Sequence, residues 1–179
     1  MTRASRDSIQ DQVERWGAEA KRLAEAGREV AALDLYRKAA DALPGAPWLQ
    51  QRTAELARKL RQYDVAILYF RRSAAAFIAA GFDKRAIAPL RAAWTIARDE
   101  MPSFAGVLVE VSTELSEVLE SVGLHTDAHT IVECTEDALR QAGLRSQTTL
   151  RREPVRPSGV VASDAPDAEP LPLERIRSR

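Results

Sequence analysis

The chain has 179 residues, 45% of them hydrophobic and 29% charged, enough apolar material for one globular domain with a core and a tail. Its 26 basic and 26 acidic residues cancel, which excludes a global field of either sign and leaves electrostatic recognition to local segregation. A single cysteine, Cys134, excludes an internal disulfide, the opening MTRASRDSIQDQ lacks the apolar run of a secretory leader, and charges interrupt every apolar run before the roughly 18 residues a membrane span needs; a cytoplasmic protein off the membrane is expected.

From about Asp7 to Gly143 apolar residues recur at helical spacing, and glycine and proline fall mainly at joints. Seven helices are predicted, over 7–26, 29–43, 46–60, 64–80, 83–98, 103–122 and 126–142. The first carries Trp16, Ala20 and Leu23 and stops at Gly27; the second carries Ala32, Tyr36 and Ala39 and stops at Pro44. The third opens on Pro47 and Trp48, a tryptophan that could stack on a ligand but whose burial preference favours anchoring the helix in the core. Asp64, Asp83, Ser103 and Thr126 or Asp127 stand where a side-chain oxygen could cap the next four helices. In the fifth, Ala86, Ile87, Leu90, Ala93, Trp94 and Ala97 form a stripe whose small members let a neighbouring backbone approach. Pro89 lies inside that helix, removes one backbone hydrogen bond and presses on the carbonyl of Arg85, which predicts a kink near the first turn.

Joints this short set consecutive helices antiparallel, and no alternating β-branched run competes. The ordered part, residues 1–143, is therefore expected to be all-α. Residues 144–179 hold five of the nine prolines and no aromatic residue, a composition that cannot offset its own ordering entropy; they are read as a disordered tail.

Around Gly27 stand Trp16, Ala20 and Leu23 before it and Ala32, Tyr36, Ala39 and Pro44 after it. This spacing resembles the tetratricopeptide repeat, in which a glycine permits the tight joint, alanines sit where two helices touch and bulky residues fill between them. The same ruler fits around Gly81, with Phe70, Ala74 and Phe77 before and Ala86, Leu90 and Ala93 after, and more loosely around Gly123, with Leu119, Ala128 and Val132. One period of about 34 residues after the first copy, Ala54, Ala66, Phe70 and Ser73 fit again, but Arg61 replaces the glycine. The copies at Gly81 and Arg61 compete, because Phe70 would belong to the second helix of one and the first helix of the other. Either the array is irregular over residues 46–80 or one alignment is spurious, and the copy that keeps Gly81 is favoured. The resemblance implies three to four irregular repeats stacked as antiparallel hairpins in a right-handed solenoid, whose groove binds a peptide or helix of another protein.

Catalytic chemistry finds no foothold: there is no phosphate loop, nucleophile elbow or oriented Cys–His pair, so the expectation is not an enzyme, with no cofactor. His125, His129 and Glu133 have four-residue spacing, but His125 is placed ahead of the helix and Cys134 on another face, so no metal site is expected. Some relatives in the repeat family clamp a C-terminal carboxylate with Lys and Asn on consecutive first helices; Gly17 and Arg52 stand in those places here.

Charge is segregated along the chain. Residues 46–102 hold ten basic and five acidic side chains, whereas residues 103–143 hold one and eight, with Glu110, Glu114 and Glu117 spaced to share a helix face. A partner protein is therefore expected to meet Arg52, Arg58, Lys59, Arg71 and Arg72 with acidic groups and the three glutamates with basic ones, with Trp48 as an apolar contact of the groove. The leading expectation is a protein–protein interaction adaptor. A small secretion chaperone for one client and an RNA-binding helical array using the basic middle are the alternatives; nucleic acid is disfavoured by the zero net charge, a membrane is not expected, and homo-oligomerisation stays open.

Overall fold

The computed structural model describes residues 3–143, and over them the chain is all-α. Seven helices follow in order: α1 (Arg3–Glu25), α2 (Glu29–Ala42), α3 (Pro47–Lys59), α4 (Tyr63–Ala79), α5 (Asp83–Asp99), α6 (Ala105–Ser121) and α7 (His125–Gln141). Each packs chiefly on its neighbours in sequence, so the helices stack as successive hairpins. The tail read over residues 144–179 lies outside the described residues.

Four of the joints share one backbone solution. Gly27, Arg61, Gly81 and Gly123 take φ values of 75°, 57°, 77° and 83°, the left-handed region that ends a helix abruptly. At each, the following N–H reaches back to the last turn: Arg28 to the Leu23 carbonyl (2.8 Å), Gln62 to Ala57 (2.9 Å), Phe82 to Phe77 (2.9 Å) and Leu124 to Leu119 (2.8 Å). Two carbonyls otherwise without partners are satisfied at every joint, because the left-handed residue's own N–H also bonds back. Arg61 achieves this without being glycine, in a conformation that costs an L-residue roughly 1–2 kcal/mol.

This solution displaces the expected side-chain caps. The residues at the N-cap positions of α4, α5, α6 and α7 are Gln62, Phe82, Phe104 and Leu124, and none makes a side-chain cap hydrogen bond. Asp64, Asp83 and Asp127 instead lie within the first turn, where a carboxylate favours the helix dipole without capping, and Ser103 precedes the cap of α6. The physical reason is the tight joint. At Gln62, Phe82 and Leu124 one residue both closes the preceding helix and opens the next, so the carboxylates fall inside the new helix.

Both central copies of the repeat ruler hold. Five residues after each left-handed position stands a buried alanine: Ala32, Ala66, Ala86 and Ala128. Twelve after stand Ala39, Ser73, Ala93 and Thr135, all buried. Ala54 and Ala66 are buried on either side of the joint at Arg61 as Ala74 and Ala86 are around Gly81, and Phe70, also buried, belongs to both copies. Helix α4 is thus the second helix of one hairpin and the first of the next, packing on α3 and α5 alike. The array is a hairpin α1–α2 followed by a run α3–α7 in which each inner helix packs on both neighbours, with Pro44 and Pro102 in the two joints that lack the left-handed residue.

Buried polar groups lock these pieces. Gln50 Nε2 donates to the Ala40 carbonyl at 2.8 Å, tying the end of α2 to α3, and Ser73 Oγ donates to the Pro47 carbonyl at 3.1 Å, tying α4 to the start of α3. Trp94 Nε1 donates to Thr135 Oγ1 at 2.9 Å, Ser112 Oγ lies 3.0 Å from the same oxygen, and the Thr135 hydroxyl reaches the Ile131 carbonyl at 2.8 Å. Three helices meet at one hydroxyl. Trp94 is buried as expected and Trp16 half-buried, but Trp48 is 53% exposed. Pro47 takes the first position of α3, Leu49 and Gln50 fill its inward face, and Trp48 is left pointing to solvent. Pro89 is buried inside α5 without dividing it.

Candidate functional site: a trough across α2, α4 and α6

Side-chain bonds that skip a helix define the site. Asp41 on α2 accepts from Tyr69 Oη (3.0 Å) and from Arg72 Nη1 (2.7 Å) on α4. Arg71, also on α4, places Nε 3.1 Å from both carboxylate oxygens of Glu114 and Nη1 3.2 Å from Glu110 Oε2, both on α6. The three helices α2, α4 and α6 are therefore cross-linked in a row, with α4 in the centre. The hydrogen bonds that Arg71 donates to Glu114 hold its guanidinium above its ordinary pKa, so it stays charged. Burial, and then the bond to Asp41, push the Tyr69 phenol up. These are partly exposed pairs worth about 0–1 kcal/mol each; they set position more than stability.

Between α4 and α6 lies a cavity of about 360 Å³, lined by Leu68, Arg71, Arg72, Ile78, Glu114 and Glu117 among others. Between α2 and α4 lies another of about 650 Å³, with Asp41, Arg72 and Ala79 in its wall. Arg72 and Ala75 belong to both, so the two run together as one trough over α4. Leu68 and Ile78 are 46% and 43% exposed. Leu68, Arg71, Arg72, Ala75 and Ile78 follow one another at three- and four-residue spacing, which puts them on one face of α4. The trough has aliphatic side chains on its floor and charges on its rim.

Five of the sequence-predicted residues meet here: Arg71, Arg72, Glu110, Glu114 and Glu117. The structure pairs Arg71 with two of the glutamates, so the basic and acidic blocks face each other inside the molecule. The remaining candidates lie elsewhere. Arg52 and Lys59 line a cavity of about 430 Å³ between α1, α2 and α3 together with Lys21, Tyr36 and Glu55; Arg52 pairs with Glu55 at 3.4 Å and Lys59 with Glu29. Arg58 is exposed and borders a smaller hollow with Tyr63 and Glu100, and Trp48 stands at the start of α3.

Sequence reasoning missed Leu68, Ile78, Asp41 and Tyr69. The signal for the two aliphatics was present: α4 carries apolar residues outside the stripe of Ala66, Phe70, Ser73 and Ala74, more than one buried face needs. His125 is the first residue of α7 rather than ahead of the helix, and His129 Nε2 lies 3.2 Å from Glu133 Oε1 on the surface. Among the described residues no three His, Cys, Asp or Glu side chains converge to hold a metal, and no helix is long and apolar enough to cross a membrane.

The fold and trough define an all-helical, repeat-like array of seven stacked helices with an open, charge-rimmed surface. No protein-family model matches the chain, and no curated protein does. Among solved structures it is similar to BtubC (BKLC) from P. vanneervenii, at 12% identity over 86% of this chain and 71% of that one, with a TM-score of 0.44.

Proposed function

We propose that the chain is a non-catalytic cytoplasmic adaptor of the tetratricopeptide type, which holds a peptide or helix of a partner protein in the trough over α4. The observation that carries this is the pair Leu68 and Ile78, large aliphatic side chains left open beside a cavity whose rim is charged. Exposed aliphatics at a concave, charge-bordered surface suit a peptide, because apolar contact supplies affinity while the rim fixes orientation. The kinship with the repeat family is supported by the recurrence of a left-handed joint, a buried alanine five residues on and a small buried residue twelve residues on. An RNA-binding role draws less support, since Lys59, Arg71 and Arg72 are each already paired with a carboxylate.

The test is affinity capture with the full chain, followed by titration of the purified partner against the wild type and Ile78→Glu. Replacing a buried contact worth about 1.5–3 kcal/mol by a charge weakens binding roughly tenfold to a hundredfold while far-ultraviolet circular dichroism stays unchanged. A partner bound equally well by Ile78→Glu and Leu68→Glu overturns the assignment of the trough.

A further inference from the structure

We infer that the trough between α4 and α6 is occupied, in the chain by itself, by the chain's own residues 171–177, LPLERIR. This rests on the peptide-binding reading of the same trough and names an internal occupant that a partner would have to displace.

Chemistry on both sides supports the match. On the acidic rim, Glu114 is engaged by Arg71, but Glu117, one turn further along α6, makes no ion pair among the described residues and borders the cavity. The acid wall therefore has room for a cation that the folded helices do not supply. Floor and walls present Leu68, Ile78, Leu90 and Val118. A fitting ligand carries aliphatic side chains and arginine within a few residues of each other. Residues 171–177 offer Leu171, Leu173 and Ile176 interleaved with Arg175 and Arg177, which outnumber the one carboxylate, Glu174. No other stretch beyond Gly143 combines three large aliphatics with basic residues so closely; the aliphatic pair Val160 and Val161 is followed by Asp164 and Asp167, whose charge the glutamates would repel. Pro170 and Pro172 fix φ on either side of Leu171, which lowers the entropy lost on docking.

Reach is no obstacle. Residues 144–170 connect Gly143 to the segment, a contour of up to roughly 90 Å. A 17-residue helix such as α7 is about 25 Å long, and neighbouring helices lie about 8–10 Å apart. The tether therefore holds the segment near the trough at an effective concentration on the order of 1 mM, and a contact with Kd of about 100 µM then leaves only roughly one segment in ten undocked.

Trypsin reads this directly in the full chain, because Arg175 and Arg177 lie inside the segment while Arg145, Arg151 and Arg152 lie outside it. Initial cleavage rates are compared bond by bond with a synthetic peptide of residues 144–179, which cancels local sequence preference. The expected result is cleavage after Arg175 and Arg177 slowed about tenfold in the full chain, with Arg151 and Arg152 cut at the peptide's rate. Ile78→Glu and Glu117→Lys, both at solvent-accessible positions, should abolish the protection, and so should Leu173→Asp, which leaves the seven described helices unaltered. Protection should not change on dilution. Cleavage after Arg175 at the peptide's rate overturns the inference. Protection that survives both trough variants overturns it too, by placing the segment elsewhere, and protection lost on dilution assigns the contact to a second copy instead. A partner that needs Ile78 while Arg175 is unprotected leaves the adaptor reading standing and removes only this one.

Discussion

Replacing Arg61 with glycine should stabilise the protein, although it deletes a whole side chain. Arg61 has φ 57° at the joint between α3 and α4, and its side chain is exposed with no ion pair among the described residues, so little is lost with it. Holding an L-residue left-handed costs roughly 1–2 kcal/mol, while the extra freedom of glycine in the unfolded chain takes back about 0.5–1 kcal/mol. The net gain is about 0.5–1 kcal/mol, which for a helical domain of this size raises Tm by roughly 2–4 °C. The counterpart is Gly81→Ala. A Cβ at Gly81 meets nothing within 4 Å, so any loss there is conformational strain alone and should be about 1 kcal/mol. Urea denaturation followed by circular dichroism gives both numbers. If Arg61→Gly is neutral or destabilising while Gly81→Ala loses stability, the two joints are not the same structure and α4 does not serve two hairpins.

Ala86→Trp or Ala32→Trp should cost 1–3 kcal/mol or more in the same urea assay, because both alanines are fully buried where helices touch. Thr135→Val keeps the side-chain shape but strands the buried Trp94 N–H; a loss of about 1–3 kcal/mol is expected, together with a shift in tryptophan fluorescence. The Tyr69 phenol, pushed up by burial and by Asp41, favours its neutral form in the folded state. Its contribution is whole below the ordinary phenol value near 10 and is lost as pH rises through the raised folded value, so Tm should fall in that alkaline window and fall less steeply in Tyr69→Phe.

All seven helices were legible because their cores repeat at 3.6 spacing, and the joints at Gly27, Gly81 and Gly123 because glycine marks a left-handed position. The joint at Arg61 was placed, between helices read over 46–60 and 64–80, but its left-handed backbone was not, because arginine carries no local signal for a positive φ. Trp48 was misread because burial preference ignores which way the first turn of α3 faces once Pro47 has opened it. The trough was half legible. Its charges stood out as blocks, but that Arg71 would meet Glu110 and Glu114, some forty residues on, is a fact of stacking that no local window contains. Leu68 and Ile78 were hidden among the other apolar residues of α4, which needs two buried sides and so blurs the boundary of a third.

A helix with two hairpin partners changes where the molecule can come apart. In a stack of separable pairs, each pair opens with its own free energy, and the ends fray first. Removing either α3 or α5 strips a flank of α4, so those three helices have no internal seam and must open and close as one cooperative unit. The one seam falls at the joint of Pro44, where α2 meets α3 over the smallest shared face; across Pro102, α6 packs on α5 as fully as on α7, and the Thr135 hydroxyl ties all three. An insertion there would lengthen a connection between two pieces, whereas the same insertion at Arg61 or Gly81 would divide a single one.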